Sequence, residues 1–246
     1  MRLILSLKAE KDMAYDQKYF GKAQGLIYGL LKGGPYDKLH DKKGFKFFCF
    51  SNVFPTKKDE PIKEGSVKSF IISSPDRNFI SALSDAVPVG TKIEIGEMQF
   101  SLVGKKTVQP KLTGDCRIKI MTPLILRIPK RMYAEYGIEN NYNYTYWRPQ
   151  TDVNAFLKQL SDNVYKKYNE FHKTDVKEDY IFQQFMFSGS HPIHPIIDQI
   201  EQTIIGSYWT FMFQGLGEQQ RALLEFALDS GFGELNSMGF GFGNDV

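Results

Sequence analysis

The chain has 246 residues, 42% of them hydrophobic, and a formal net charge of +3 at a sequence pI near 8.6. This length suits two domains of about 120 residues with real cores. The mild charge excludes a protein that holds nucleic acid by overall charge alone. The apolar stretch at residues 3–7 is far too short for a signal peptide or membrane helix, and charged residues follow at once. We therefore expect a cytoplasmic protein that does not contact a membrane.

The first half of the chain predicts the element order β-α-β-β-α-β. The spacing of apolar residues indicates strands at residues 2–7, 46–54, 66–73 and 92–108, the last of them long or paired, and helices at 20–32 and 76–87. Alternation along the second strand would place Phe48 and Phe50 on one face and Phe47 and Cys49 on the other.

The second half predicts the same order without visible sequence repetition. Strands are expected at residues 117–128, 180–188 and 203–213 and in a short final segment, with helices at 153–171 and 219–230. Pro110 and Gly114 punctuate the charged run between the halves. The predicted fold class is therefore α+β, with two tandem ferredoxin-like (RRM-like, βαββαβ) domains at residues 1–108 and 114–246. Sheets of this fold often receive single-stranded RNA.

The segment KGFKFFCF at residues 43–50 nearly matches the aromatic signature of an RNA-recognition strand, with Lys46 in place of its small residue. In that module the signature lies on the third strand, whereas here it falls on the second predicted strand. A chance amphipathic strand is therefore the better interpretation.

Two Gly-Phe-Gly triplets, at residues 231–233 and 239–241, frame a glycine-rich loop. Gly231 stands where the preceding helix is expected to end, and glycines leave backbone N–H groups open to an anion. A dinucleotide fingerprint is excluded because Asn236 occupies its sixth position, and no Gly-Lys-Ser/Thr of a P-loop follows. The frequent apolar residues of the loop predict that it is ordered.

RNA phosphates are the ligand that we expect for this loop. Local clusters of lysine and arginine, one of them Lys57 and Lys58, would supply the charge that the chain as a whole lacks. The residues expected to contact RNA are Gly231, Gly233, Ser237, Gly239 and Gly241 in the loop and Lys42, Lys43, Lys130 and Arg131 in two basic clusters.

Sequence signatures of metal and cofactor sites are missing. Cys49 and Cys116 lie far apart with no CxxC spacing, which argues against a zinc framework. His191 and His194 fall in a proline-rich run that we interpret as a loop, and no further ligands are visible beside them. We therefore expect neither a metal nor a cofactor.

Three segments carry a resemblance to a known family. They are QGLIYGLL at residues 24–31, His40 in the loop before KGFKFFCFS, and the terminal GFGELNSMGFG. In order and spacing they resemble the CRISPR repeat-processing endoribonucleases, a glycine-rich-loop family of the repeat-associated RNA-binding superfamily. The resemblance implies an enzyme that cuts CRISPR precursor RNA within each repeat without a metal, leaves a 2′,3′-cyclic phosphate and a 5′-hydroxyl, and retains its product.

Metal-free cleavage of this kind needs a base for the 2′-OH proton, an acid for the leaving 5′-oxygen and a cation beside the phosphorane. The resemblance implies Tyr28, His40 and Lys46 for these tasks. Helical spacing turns Tyr28 away from the apolar stripe of its helix, and His40 lies in a polar loop where an imidazole stays accessible. Lys46 opens the next predicted strand, but Lys42 and Lys43 are close enough to compete for its role. The choice between acid and base for His40 stays open.

Two other functions fit parts of the pattern. A non-catalytic RNA-binding subunit of a CRISPR ribonucleoprotein complex would keep the glycine-rich loop, although Tyr28 with His40 argues against it. An unrelated ferredoxin-like module for proteins or small molecules would suit the modest charge but not the loop. The expected partners are CRISPR repeat RNA, bound as an open strand or as a hairpin, and other CRISPR-associated proteins. The chain would act as a monomer or a homodimer.

Overall fold

The structure is a computed structural model that describes residues 1–57, 60–177, 179–182, 184–197 and 200–246. The chain divides into two compact units, Met1–Pro110 with Ser237–Gly239 and Lys111–Asn236 with Phe240–Val246. Lys58, from a predicted basic cluster, and Gln183, from the predicted strand at 180–188, lie outside the described residues. Within the described ranges no helix has the length and apolar character needed to cross a membrane.

The first unit contains a five-stranded antiparallel sheet and two helices. Its elements are β1 (Arg2–Ala9), α1 (Tyr19–Leu31), β2 (Cys49–Phe50), β3 (Val67–Ser73), α2 (Arg77–Ala86), β4 (Lys92–Ile95) and β5 (Met98–Val108). The strand order is β2-β3-β1-β5-β4. This is the ferredoxin-like order, with β5 as the last strand of the motif and β4 as an added hairpin edge. Both predicted helices are confirmed to within one residue at each end.

β1 and α1 supply the centre of this unit's core. Alternation along β1 buries Leu3, Leu5 and Leu7 on one face of the sheet. α1 adds Ala23 and Ile27 to the same cluster, because residues four apart share a helix face. This packing fixes which face of α1 turns away from the sheet, and therefore also the direction of Tyr28, which follows Ile27.

The predicted strand at residues 46–54 is wrong over most of its length. Only Cys49–Phe50 is a strand, and Phe47 has a φ of +52°, which interrupts the extended backbone on which the predicted alternation depends. Residues 48–50 are all fully buried. Phe48 stacks on Phe79 of α2 with ring centroids 5.1 Å apart. Burial of these aromatic side chains offsets the cost of the left-handed backbone at residue 47.

The second unit contains the larger set of elements. They are β6 (Cys116–Ile120), β7 (Leu124–Ile125), β8 (Arg127–Pro129), β9 (Tyr144–Tyr146), α3 (Val153–His172), β10 (Gln184–Ile193), β11 (Ile196–Ile197), β12 (Ile200–Glu201), β13 (Ile204–Phe213), α4 (Glu218–Ser230) and β14 (Gly243–Asp245). The main sheet has the antiparallel order β10-β13-β6-β14.

The main elements of the second unit repeat the topology of the first. Without the short strands, β6-α3-β10-β13-α4-β14 is again βαββαβ, and the first strand again lies between the third and the last. The predicted α+β class with tandem ferredoxin-like folds is therefore confirmed. The helices expected at 153–171 and 219–230 are α3 and α4.

The predicted strand at 117–128 is divided into β6, β7 and β8. At the first break the amides of Met121 and Thr122 both donate to the carbonyl of Phe242, and Pro123 has no N–H for a sheet ladder. The carbonyl of Pro123 instead accepts from the amide of Gly241, 2.9 Å away. The break thus directs the backbone of this strand to the glycine-rich loop.

The loop predicted around His191 is also wrong in part. β10 extends through His191, which pairs with Gly206 of β13, to Ile193. A proline at residue 192 is compatible with this position because β10 is an edge strand of its sheet. His194 follows the strand, and its Nδ1 lies 3.2 Å from Oγ1 of Thr203.

Candidate active site

The first unit brings the three predicted catalytic residues together. Tyr28 lies on α1. His40 directly follows a 3₁₀ turn at Asp37–Leu39. The rings of Tyr28 and His40 meet edge to face with centroids 5.1 Å apart. Nζ of Lys46 donates to the Tyr28 hydroxyl at 3.2 Å and to the His40 carbonyl at 2.7 Å. Residues up to 18 positions apart therefore form one hydrogen-bonded group.

Tyr28 is half-buried, because its ring lies perpendicular to that of core residue Phe48 with centroids 6.0 Å apart. Burial raises the pKa of Tyr28 to about 12, against opposing hydrogen bonds to Ser237 and Gln24. The expectation that Tyr28 points well away from the core is therefore only partly right. At neutral pH its hydroxyl keeps the proton and can donate it.

His40 is the exposed member of the group. Its side chain is 70% exposed, and its Nδ1 lies 3.2 Å from Oδ1 of Asp41. The carboxylate can hold the ring orientation. The exposed imidazole has the solvent access that a proton-transfer group needs.

Lys46 precedes β2 instead of opening a strand. Burial lowers the pKa of Lys46, while the charge of Asp41 acts in the opposite direction. The competing Lys42 points elsewhere, with its Nζ 5.2 Å from the ring centroid of Phe47, and Lys43 is exposed. Geometry thus associates Lys46, rather than Lys42, with Tyr28 and His40.

Gln24 and Ser237 are neighbours of Tyr28. Ser237, at the tip of the glycine-rich loop, belongs to the first unit; its carbonyl accepts from Nε2 of Gln24 at 2.9 Å, and its side chain bonds to Tyr28. Sequence reasoning named Ser237 as an RNA contact and gave no role to Gln24. The signal for Gln24 was its position four residues before Tyr28, on the same helix face.

The loop glycines have an internal reason to be glycine. Gly231, Gly233, Gly239 and Gly241 all have positive φ. A Cβ on any of them would collide with the protein itself. It would meet Asn236 at Gly231, the Ile125 carbonyl at Gly233, the Phe50 ring at Gly239 and the Phe232 carbonyl at Gly241. The amides of Gly231 and Gly241 donate to the carbonyls of Ala227 and Pro123. Close packing of the chain on itself therefore requires these glycines.

Lys167 of α3 lies beneath the base of the loop and is only 1% exposed. Its Nζ donates to the carbonyls of Gly231 and Gly233 and to Oδ1 of Asn236. In turn the side-chain amide of Asn236 donates to the carbonyls of Phe232 and Phe240, at 2.9 and 3.0 Å. The loop is ordered, as predicted, with Phe232, Phe240 and Phe242 buried. Sequence reasoning missed Lys167 because nothing in a helical pattern marks one lysine as buried.

Lys130 and Arg131, the remaining predicted RNA contacts, lie in the second unit. They occupy a 3₁₀ turn at Lys130–Met132 directly after β8, and both are exposed. Among the described residues, no group of three or more histidine, cysteine, aspartate or glutamate side chains could hold a metal ion.

Comparison with known proteins gives consistent matches over the whole chain. A family model described as CRISPR associated protein Cas6, C-terminal, matches residues 104–244, more than half of the chain. A CRISPR-associated endoribonuclease Cas6 of Haloferax mediterranei is 29% identical over 260 residues, which cover 100% of this chain and 94% of the relative. A CRISPR-associated endoribonuclease Cas6 2 of Methanocaldococcus jannaschii is 27% identical over 253 residues, and both chains are covered completely.

A solved structure has the same fold. It is described as an RAMP protein binding different RNA substrates, and it superposes with a TM-score of 0.73 at 20% identity, covering 100% of this chain and 99% of that chain. The similarity extends over both ferredoxin-like folds.

Replacement of Gly241 by alanine should destabilise the protein more than replacement of Gly215. Both glycines have similar positive φ, +69° and +64°, but a Cβ at Gly215 would meet open space, whereas one at Gly241 would overlap the Phe232 carbonyl. Gly215→Ala should cost about 1–2 kcal/mol for the left-handed backbone alone, and Gly241→Ala about 1–3 kcal/mol more, the usual cost of overpacking. Urea unfolding of the two variants measures the difference. Equal losses would show that the loop can move to accept a side chain.

Proposed function

Because the chain belongs to the CRISPR-associated Cas6 family, we propose that it is an endoribonuclease that cleaves CRISPR precursor RNA within the repeats and retains the product. Cleavage proceeds without a metal, by attack of a 2′-OH, and gives 2′,3′-cyclic phosphate and 5′-OH ends. The proposal assigns residues 1–108 and 114–246 to two ferredoxin-like domains. The observation that carries it is the hydrogen-bonded group of Tyr28, His40 and Lys46.

In the proposed reaction a 2′-oxygen forms a bond to phosphorus while the bond from phosphorus to the 5′-oxygen breaks. The accessible imidazole of His40 takes the proton of the 2′-OH. Tyr28, whose pKa burial raises to about 12, keeps its proton at neutral pH and donates it toward the leaving 5′-oxygen. The ammonium of Lys46 stabilises the charge that develops on the phosphorane oxygens.

The glycine-rich loop contributes to this site through its tip. Ser237 bonds to both Gln24 and Tyr28. These bonds support a role for Ser237 in holding the Tyr28 hydroxyl in the position from which it faces the RNA. Lysine and arginine side chains would hold phosphates of the bound RNA. The proposed RNA contacts are Ser237 at the tip of the loop and Lys42, Lys43, Lys130 and Arg131. Gly231, Gly233, Gly239 and Gly241, which are buried, give the loop the shape that presents Ser237.

Incubation of the purified protein with the repeat RNA of its own organism in EDTA tests the reaction class. We expect cleavage at one position, with a 2′,3′-cyclic phosphate on the upstream product, because protein side chains supply every proton and charge that the step needs. Analysis of the product ends by mass spectrometry is the measurement. If the RNA is bound but stays whole, the chain is instead a non-catalytic RNA-binding subunit. If it is neither bound nor cut, the proposal fails as a whole.

His40→Ala should slow cleavage by roughly 10²- to 10⁴-fold, the usual contribution of a positioned proton-transfer group. Binding should stay nearly intact, because the exposed imidazole contributes little contact area. His191→Ala is a matched control, since His191 is also exposed but lies on β10 of the second unit. Single-turnover rates with excess enzyme give the comparison. A wild-type rate for His40→Ala would remove it from the mechanism.

Lys46→Gln and Lys42→Gln should separate charge stabilisation from phosphate binding. We expect Lys46→Gln to lower the single-turnover rate by about 10²- to 10³-fold, as for a lost transition-state donor. Lys42→Gln should instead raise Kd and reduce the salt dependence of binding by about one phosphate contact, with the rate at saturating enzyme preserved. The opposite result would give the catalytic role to Lys42.

A further inference from the structure

A cluster of tyrosines in the second unit bounds a cavity of about 700 Å³. The cavity lies at β9 and the segments on either side of it. Its lining includes Asn140, Tyr142, Asn143, Tyr144, Tyr146 and Arg148. Neither the proposed catalytic group nor the proposed RNA contacts include any of these residues.

Two of these tyrosines expose much of their surface. Tyr142 is 75% exposed and Tyr144 is 41% exposed. Stacking of a flat ring on such a side chain removes apolar area from water on both partners. An aromatic ligand with polar edges is therefore the chemistry that fits the site.

Tyr144 is held in place before any ligand binds. It pairs with Pro129 in the β8–β9 hairpin, and the guanidinium of Arg127 lies 5.1 Å from the centroid of its ring. Arg127 is fixed in turn by an ion pair with Glu234. Tyr146 packs edge to face against Tyr144 with ring centroids 5.7 Å apart. One wall of the cavity is thus preorganised, which reduces the entropy cost of binding.

Cationic side chains adjoin the tyrosines. The amide of Lys130 donates to the carbonyl of Asn143 at 2.9 Å, so the basic turn at Lys130–Met132 lies directly beside this cavity. Arg148 is exposed and forms part of its lining. Aromatic platforms next to cations are the combination that binds single-stranded nucleic acid.

We propose that this tyrosine cavity binds an unpaired base of the repeat RNA, stacked on Tyr142, while Lys130 and Arg148 contact the adjoining phosphates. The inference rests on the proposed function, because it takes the same RNA as its ligand. Bases within a duplex stem are already stacked on each other and are not available to the cavity. The site therefore selects a single-stranded part of the repeat.

Tyr142→Ala tests the stacking contact, with Tyr142→Phe as the matched variant that keeps the ring. We expect Kd for repeat RNA to rise roughly 5- to 100-fold for alanine and to stay near wild type for phenylalanine. The slope of log Kd against log salt should not change, because no charge is removed, whereas Arg148→Gln should reduce it by about 1. Tyr180→Ala removes a 48% exposed tyrosine outside the cavity lining and should leave Kd unchanged.

Repeat RNAs with single abasic positions identify the base. One unpaired position should weaken wild-type binding about as much as Tyr142→Ala does, with no further loss when the two changes are combined. Additive losses at every position would overturn the proposal, as would wild-type affinity of Tyr142→Ala. In both cases the wild-type protein still cuts the RNA and the proposed function stands. If the wild-type protein neither binds nor cuts, the proposed function fails and this inference with it.

Discussion

The buried side-chain nitrogen of Lys167 fixes the conformation of the glycine-rich loop. Leaving a buried donor without an acceptor typically costs about 1–3 kcal/mol, so the loop backbone presents its carbonyls to Nζ. Gly231 and Gly233 do so only because their φ angles are positive. The turns that this requires bring the two Gly-Phe-Gly triplets into contact, as the hydrogen bond from the Phe232 amide to the Gly241 carbonyl shows. The conformation of the loop is therefore imposed from inside the protein, before any ligand arrives.

The candidate active site depends on a different effect, which is partial removal of a phenol and an ammonium from water. Burial raises the pKa of Tyr28 and lowers that of Lys46. In both side chains it opposes the charged form, which is the phenolate for Tyr28 and the ammonium for Lys46. The side chain of His40, in contrast, is largely exposed to solvent. A neutral donor, a nearby cation and an accessible imidazole within one group are what proton transfer around a phosphate requires.

Much of this arrangement could be predicted from the sequence, for identifiable reasons. The helical period placed α1 and α2, and the element order gave both ferredoxin-like folds, because periodicity reports which side chains are buried. Tyr28, His40 and Lys46 were grouped by family resemblance, and the structure brings them together. The helix end at Gly231 followed from the preference of glycine for that position.

The remaining features depend on tertiary contacts that no local pattern encodes. The left-handed Phe47 is tolerated only because residues 48–50 become buried. The burial of Lys167 depends on carbonyls more than sixty positions away in sequence. The same applies to the tyrosine cavity, since an exposed and a buried tyrosine look alike in a sequence. Pro123 divides a predicted strand because its neighbours bond to the loop instead of to a sheet.

The side chain of Asn236 has a consequence for how this loop can evolve. Its amide reaches the carbonyls of Phe232 and Phe240, each four positions away on opposite sides. An insertion or deletion in either arm would shift one of those carbonyls out of reach, and a single substitution elsewhere could not restore both bonds. Loops usually tolerate changes in length because their backbone faces solvent. Here the two bonds of Asn236 fix the length of the loop. In related chains, substitutions should therefore change the residues between the glycines but not the number of those residues.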